Sequence, residues 1–328
     1  MEAADTVYRC RAKAARLFDC EEEQVVFTTS CTHGLNIALN TLVEKGQRVV
    51  ISGFEHNAVT RTLAHLGAAV TVAGRRLFDP ADTLQSFEQA LKQGADGAVF
   101  THVSNVFGYI LPIEEMAQLC RRYGVPFVVD GAQSAGSLEL KLSQLGAEFI
   151  AVPGHKGLLG PQGTGLLLCG GQTKPLLYGG TGSESRNQAM PAYLPDRLEA
   201  GTMNVPGIAG LEAGLDWVTG EGLSNIARRE HRAAAACANR LAQMGAKVFA
   251  GENQAATVSF VTGMDCEDVA AGLAKRGICV RAGLHCAPLA HESAGTLETG
   301  TVRVSFGHNA SLQQVDHLLR ALKDMEVM

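Results

Sequence analysis

Two charged residues stand where chemistry is possible. Asp130 closes the apolar run "PFVVD" (126–130), and Lys156 follows the next such run, "EFIAV" (148–152), 26 residues beyond the aspartate. In an open α/β sheet, ligands bind beyond the carboxyl ends of the strands. Successive strands would therefore deliver an acid and an amine to one sheet edge. The lysine lies in "VPGHKGLLGPQGTG" (152–165), where glycines recur at 157, 160, 163 and 165. A P-loop places its lysine after the glycines, as G-x-x-x-x-G-K-[ST]; here the glycines follow the lysine, which excludes that motif. The dinucleotide fingerprint G-x-G-x-x-G belongs to the first strand–helix turn. "GPQGTG" has another order and comes late in the chain. Taken singly, a lysine in a glycine loop is more often solvated, and a strand-end aspartate more often a turn former.

Together the two fit pyridoxal phosphate. That cofactor takes a lysine amine on its aldehyde and an acid at its pyridine nitrogen. The acid keeps the nitrogen protonated, so the ring can accept electrons from a breaking bond. The amine reacts as the free base, and "PGHKGLLGP" around Lys156 contains no acid to hold a charge on it. The phosphate needs N–H donors at a helix N-terminus. "FTTSCTHGLN" (27–36) offers a strand end, a run of hydroxyls, and then a helix.

Those residues need elements to position them. "QRVVIS" (47–52), "AAVTVA" (68–73), "GAVFTHVS" (97–104), "PFVVD", "EFIAV" and "GLLLC" (165–169) are short apolar runs without polar alternation. Such runs suit strands buried on both faces of a mostly parallel sheet. Helical patterns at 33–43, 56–66, 83–93 and 113–123 separate them. The fold expected is α/β, a mostly parallel doubly wound sheet. Helical patterns follow in "GIAGLEAGLDWV" (207–218) and "NIARREHRAAAACANRLAQM" (225–244). Strands at 256–261, 277–283 and 301–306, with helices at 265–276 and 311–324 and a loop reaching Gly300, predict a smaller C-terminal α+β domain. The expected division is 1–220 and 221–328, and the long loop 170–200 reads as functional.

Bulk properties narrow the function. The chain has 328 residues, 46% hydrophobic and 19% charged, with net charge −5. No basic cluster suggests nucleic acid, and no apolar stretch is long enough to span a bilayer. The nine cysteines, at 10, 20, 31, 120, 169, 237, 266, 279 and 286, form no C-x-x-C pair. Neither a metal site nor a disulfide framework is expected, and reduced thiols in the cytoplasm are.

Six motifs in order, "EHNA" (55–58), "HVSN" (102–105), "DGAQ" (130–133), "GHKGLLGPQGTG" (154–165), "EAGT" (199–202) and "RAGLHCAP" (281–288), carry a resemblance over nearly the whole chain. The sequence resembles the cysteine desulfurases, within the class V aminotransferase group of fold-type I pyridoxal phosphate enzymes. The resemblance implies that Lys156 holds the cofactor covalently and Asp130 pairs its ring nitrogen. Gln133 would reach the phenolic oxygen, and His155 the phosphate. His56 alone reads as a helix cap; within the set it reads as stacking on the ring. Cys31 and Thr32 stand where relatives often have two threonines, so Thr32 and backbone N–H groups are expected on the phosphate more than the Cys31 side chain. Asn105 would touch the substrate carboxylate or the ring oxygen. Thr202 would reach the phosphate of a second subunit, which implies a homodimer with shared sites. Pro153 and His308 depart from the serine and tyrosine of many relatives.

Cys286 narrows the reaction. Most of the cysteines read as buried hydrophobes, but Cys286 follows the run "GICVRAG" in a loop where a thiol is accessible. It matches the sulfur-accepting cysteine of the resembled family. The reaction implied converts L-cysteine to L-alanine with the sulfur held as a persulfide on Cys286, for an acceptor protein. Arg303 matches the arginine that grips the substrate carboxylate, and a bidentate fork suits that task. Arg281 is a second such arginine or a strand-end surface residue. L-Selenocysteine is an alternative substrate for the same residues. Relatives also carry an N-terminal arm with an Asp-Asn-Ala-Ala-Thr-Thr segment ahead of the helix expected at 1–18. The sequence starts at that helix, so a cofactor-binding scaffold with impaired turnover is the further alternative.

Overall fold

Strands without a polar face must be covered on both sides, and the central sheet is built from them. The computed structural model describes residues 2–327. Helix α1 (Glu2–Phe18) leads into β1 (Val25–Thr28), α2 (Cys31–Leu42), β2 (Arg48–Ser52), α3 (Asn57–Leu66), β3 (Ala69–Ala73), α4 (Pro80–Lys92) and β4 (Gly97–Thr101). Then come α5 (Ile113–Tyr123), β5 (Phe127–Asp130), the short α6 (Leu142–Leu145), β6 (Phe149–Pro153) and β7 (Gly165–Cys169). Every residue of β1, β4, β5, β6 and β7 is buried. The seven strands run in the order β1-β7-β6-β5-β4-β2-β3. β3, β2, β4, β5 and β6 are parallel neighbours, while β7 is antiparallel to both β6 and β1. The mostly parallel doubly wound sheet read from the sequence is present.

Beyond it, α7 (Val205–Glu221) and α8 (Leu223–Gln243) lead to β8 (Lys247–Phe249), β9 (Thr257–Val261), α9 (Cys266–Ala274), α10 (Pro288–Ala294), β10 (Val302–Ser305) and α11 (Leu312–Asp324). β10, β9 and β8 form a second, antiparallel sheet. Val258, Phe260, Val302, Leu241 and Leu318 belong to its own buried cluster. Two expectations need correction here. Residues 277–283 form no strand; the segment makes one bridge, Arg281 to Arg303, because Gly277 and Gly283 turn the chain at either end with φ 73° and 90°. The stretch read as loop up to Gly300 contains α10, with Pro288 in its first turn and left-handed Gly295 closing it. That asymmetry is a helix signal. Ala287 and Ala290 join the core of the large sheet, so this C-terminal helix docks on the N-terminal part of the fold.

The long loop 170–204 is anchored by a buried ion pair. Arg11 of α1 donates to both carboxylate oxygens of Glu199 at 2.9 and 2.8 Å, and to the Val25 carbonyl. Glu199 also accepts the Phe27 N–H at 2.7 Å, and the guanidinium lies 4.7 Å from the Phe27 ring centroid. Removing one partner leaves a buried charge uncompensated, at a cost of about 3–5 kcal/mol. Arg11→Met should therefore lower the melting temperature by about 10 °C. A melt within about 1 °C of wild type would show that the pair has no structural role.

Candidate active site

The carboxyl ends of β2, β4, β5 and β6 open on two adjoining cavities. The inner one, about 180 Å³, is lined by Cys31, Thr32, His56, Asn105, Asp130, Gln133, Pro153, His155 and Lys156, among others. The outer one, about 460 Å³, shares His56, Asn105, Gln133 and Lys156 and adds Arg281, His285, Cys286, Arg303 and His308. Eleven of the twelve residues singled out from the sequence therefore line one continuous space. Thr202 does not: it is exposed, in the loop that Glu199 anchors.

Asp130 ends β5 and is 2% exposed. Its Oδ1 accepts the Ala132 N–H at 2.9 Å and the Cys31 thiol at 3.4 Å. No bond reaches Oδ2 from the described residues, which leaves one carboxylate oxygen for a donor in the cavity. Cys31 thus serves the aspartate, and its Sγ also lies 3.4 Å from the Ala151 carbonyl. Burial, and next the neighbouring Asp130 charge, keep its thiol well above the usual range, so it stays protonated. Thr32 stands in the first turn of α2, behind the Ser30 cap that accepts from the His33 N–H. First-turn N–H groups have no intrahelical acceptor, and they make the helix start suited to an anion.

The loop of Lys156 turns back on itself. The Gly154 N–H donates to Thr164 O, and the Leu159 N–H to Lys156 O at 2.9 Å. Gly157 passes so near the turn after Asp130 that a Cβ there would lie 2.3 Å from the Ala135 carbonyl oxygen. The amine-bearing and acid-bearing loops are thereby in backbone contact. His155 is exposed beside the lysine, and burial and the Lys156 charge lower its pKa.

His56 is the helix cap that its place before α3 suggests. Its Nδ1 accepts the Ala58 N–H at 3.0 Å and caps α3, while the ring lines both cavities. With Nδ1 accepting, the neutral ring carries its hydrogen on Nε2. Burial lowers the imidazole pKa, which favours that neutral form. Arg303, on β10, donates from Nη1 to the Asn105 carbonyl at 2.9 Å, and its buried Nε has no partner among the described residues. Arg281 meets it through paired backbone bonds of 3.1 and 2.7 Å. Cys286 is exposed. Its neighbour His285 is pushed down to about 3, by burial first and Arg303 next, so the cations near the thiol are the arginines and not this imidazole.

Sequence reasoning passed over Glu55, which precedes His56 in the same motif. It is fully buried, accepts from the Ser52 hydroxyl and, at 2.9 Å, from the Thr101 N–H, and leaves Oε2 without a partner. Only its place beside His56 could have signalled it. Burial pushes the carboxyl up to about 8. The folded chain then holds a proton that the unfolded chain releases near 4.5, so stability falls as pH rises from about 4.5 towards about 8. Glu55→Gln should flatten that decline, seen as urea midpoints between about pH 5 and pH 8. A slope unchanged from wild type would remove Glu55 as the responsible group.

The model of the aminotransferase class-V family matches residues 1–318. A probable cysteine desulfurase of Methanothermobacter thermautotrophicus is 30% identical over 346 residues, spanning 100% of this chain and 86% of its own. One from Pyrococcus abyssi is 31% identical, covering 96% of this chain and 82% of its own. Among solved structures, the apo cysteine desulfurase of Thermococcus onnurineus NA1 superposes with a TM-score of 0.90 at 31% identity, over 99% of this chain and 84% of that one. The cysteine desulfurase of Escherichia coli in its S-sulfonic acid form gives 0.87 at 25%, over 100% and 85%. With the family model covering almost the full length and relatives aligned along 96–100% of this chain, it belongs to the aminotransferase class-V family, in its cysteine desulfurase branch.

Proposed function

We propose that the protein is a pyridoxal phosphate-dependent cysteine desulfurase that converts L-cysteine to L-alanine and holds the sulfur on Cys286. The observation that carries this is the single cavity system with Lys156 and Asp130 in its inner part and Arg303 and an exposed Cys286 in its outer part. The residues fit the cofactor. Asp130 offers one uncommitted carboxylate oxygen for the ring nitrogen, and the start of α2 offers N–H groups and Thr32 for the phosphate. Lys156 supplies the amine, Gln133 a donor for the phenolic oxygen, and His56 a neutral ring for its face; His155 stands at the phosphate side. When bound, the cofactor withdraws electrons from the substrate's α-carbon.

The protein's own groups do the rest. Lys156 carries the proton from the α-carbon, and Arg303, with Arg281 beside it, holds the substrate carboxylate. Cys286 Sγ, as thiolate, attacks the substrate sulfur; the S–S bond forms as the Cβ–S bond breaks. The electron pair of that bond goes to the three-carbon fragment, which takes up protons and leaves as alanine. No outside oxidant is needed, because the sulfur simply moves from one carbon to one thiol. An acceptor protein then takes the persulfide sulfur.

The same reading divides the chain into working domains 1–220 and 221–328, each with its own sheet. It also places a second copy over the loop 170–204, where Leu177, Tyr178 and Tyr193 are exposed, so that Thr202 reaches the neighbouring site. Free thiols throughout suit a reducing cytoplasm. Incubation with L-cysteine, alkylation and mass spectrometry test the central claim. Persulfide on Cys286 with alanine released is the expected result; alanine without sulfur on Cys286 would overturn it.

A further inference from the structure

The peptide that carries Cys286 is held in an unfavourable shape. His285 and Cys286 both lie in the left-handed region, at φ 50° and 57°. Residues with a β-carbon rarely adopt it, and such strain persists only where the surroundings over-determine it. Here the surroundings are specific. The Asn105 side-chain nitrogen donates to the His285 carbonyl at 2.7 Å, and the Asn57 N–H donates to the Cys286 carbonyl at 2.7 Å. His285 Nε2 lies 3.2 Å from both Thr301 O and Thr301 Oγ1. Of these three anchors, only Asn105 is a buried side chain that lines both cavities.

We infer that Asn105 is a positioning residue for Cys286: its amide hydrogen bond to the His285 carbonyl holds the thiol loop at the wall of the cavity. A carbonyl partner fixes the orientation of the amide, since only the nitrogen can donate. One Nδ2 hydrogen is thereby committed to the loop. The same residue receives Arg303 Nη1 on its backbone carbonyl at 2.9 Å. The group proposed to bind the substrate carboxylate and the loop carrying the thiol thus meet on Asn105. The inference rests on the reading of Cys286 as sulfur acceptor, and it assigns Asn105 a task other than gripping substrate.

Asn105→Asp keeps the shape and removes the donor; Asn105→Ala removes both. The full chain, loaded with pyridoxal phosphate, is compared with wild type by three measurements. The iodoacetamide labelling rate of Cys286 without cysteine should rise at least about 5-fold in both variants, as the loop is released. With cysteine, kcat for persulfide formation should fall at least about 10-fold while KM changes less than about 3-fold. The visible cofactor band should remain. A residue that only grips substrate would instead raise KM and leave labelling unchanged, and that result overturns the inference. In wild-type protein the Asn57 amide should resist hydrogen exchange; exchange at the rate of an open loop would overturn it even if both variants misfold. Should wild-type Cys286 never carry persulfide, the functional reading fails, yet the labelling comparison still decides whether Asn105 holds the loop.

Discussion

Lys156→Ala protein, purified and incubated with excess pyridoxal phosphate, should show no visible band that borohydride bleaches, and alanine production should fall about a thousand-fold or more. The size of the effect follows from the two tasks proposed for one amine: anchoring the cofactor and carrying the α-proton. The position cannot be served from elsewhere. Lys174 lies in the loop beyond β7, where its backbone pairs with Thr41, and Lys141 reaches back to the Leu17 carbonyl. Among the described residues, no other lysine lines either cavity. Cofactor held only through Asp130, Gln133 and the α2 terminus should still associate, more weakly and without the covalent signature. A bleachable band of wild-type intensity in the variant would sink the assignment of Lys156.

Cys286→Ala makes the opposite split. The absorbance band should stay at wild-type strength, while sulfur delivery falls about a hundred-fold or more. The reason is accessibility. Cys10, Cys31, Cys120, Cys169, Cys237 and Cys266 are buried, and burial pushes Cys10, Cys20, Cys120 and Cys237 up to about 12. Thiols in that state present almost no thiolate at neutral pH. Only Cys279 and Cys286 are exposed among the nine, and of these two Cys286 alone lines the outer cavity. Cys279→Ala is the matching control and should transfer sulfur as wild type does. Sulfur release from Cys286→Ala at the wild-type rate would move the acceptor role to another group.

Much of the large sheet was legible because its signal is local. "PFVVD", "EFIAV" and "GLLLC" have no polar face, and each became a fully buried strand. The helix at 113–123 has acids first, bases last and a glycine stop, and it spans those residues. "GICVRAG" misled because β-branched residues between two glycines look like a strand. What decides there is whether a partner edge lies alongside for its length, and only Arg281 finds one. The helix at 288–294 was missed although Pro288 and Gly295 bracket it; seven residues are too few for periodicity to show.

By itself the sequence determined which groups exist: an amine and an acid on successive strands, a histidine before a helix, an arginine on a late strand, and a cysteine between glycine and proline. Spacing along parallel strands was enough to put Asp130 and Lys156 at one edge, because consecutive βαβ units leave little choice. The tertiary structure alone decided three things. It turned the Cys31 thiol onto Asp130. It buried Glu55 against Ser52 and Thr101. And it brought residues 281–288 across to the large sheet, where Ala287 and Ala290 join its core. Each depends on contacts between residues tens to hundreds of positions apart, as Asn105 and His285 are, and no local pattern in a chain encodes which distant surfaces will meet.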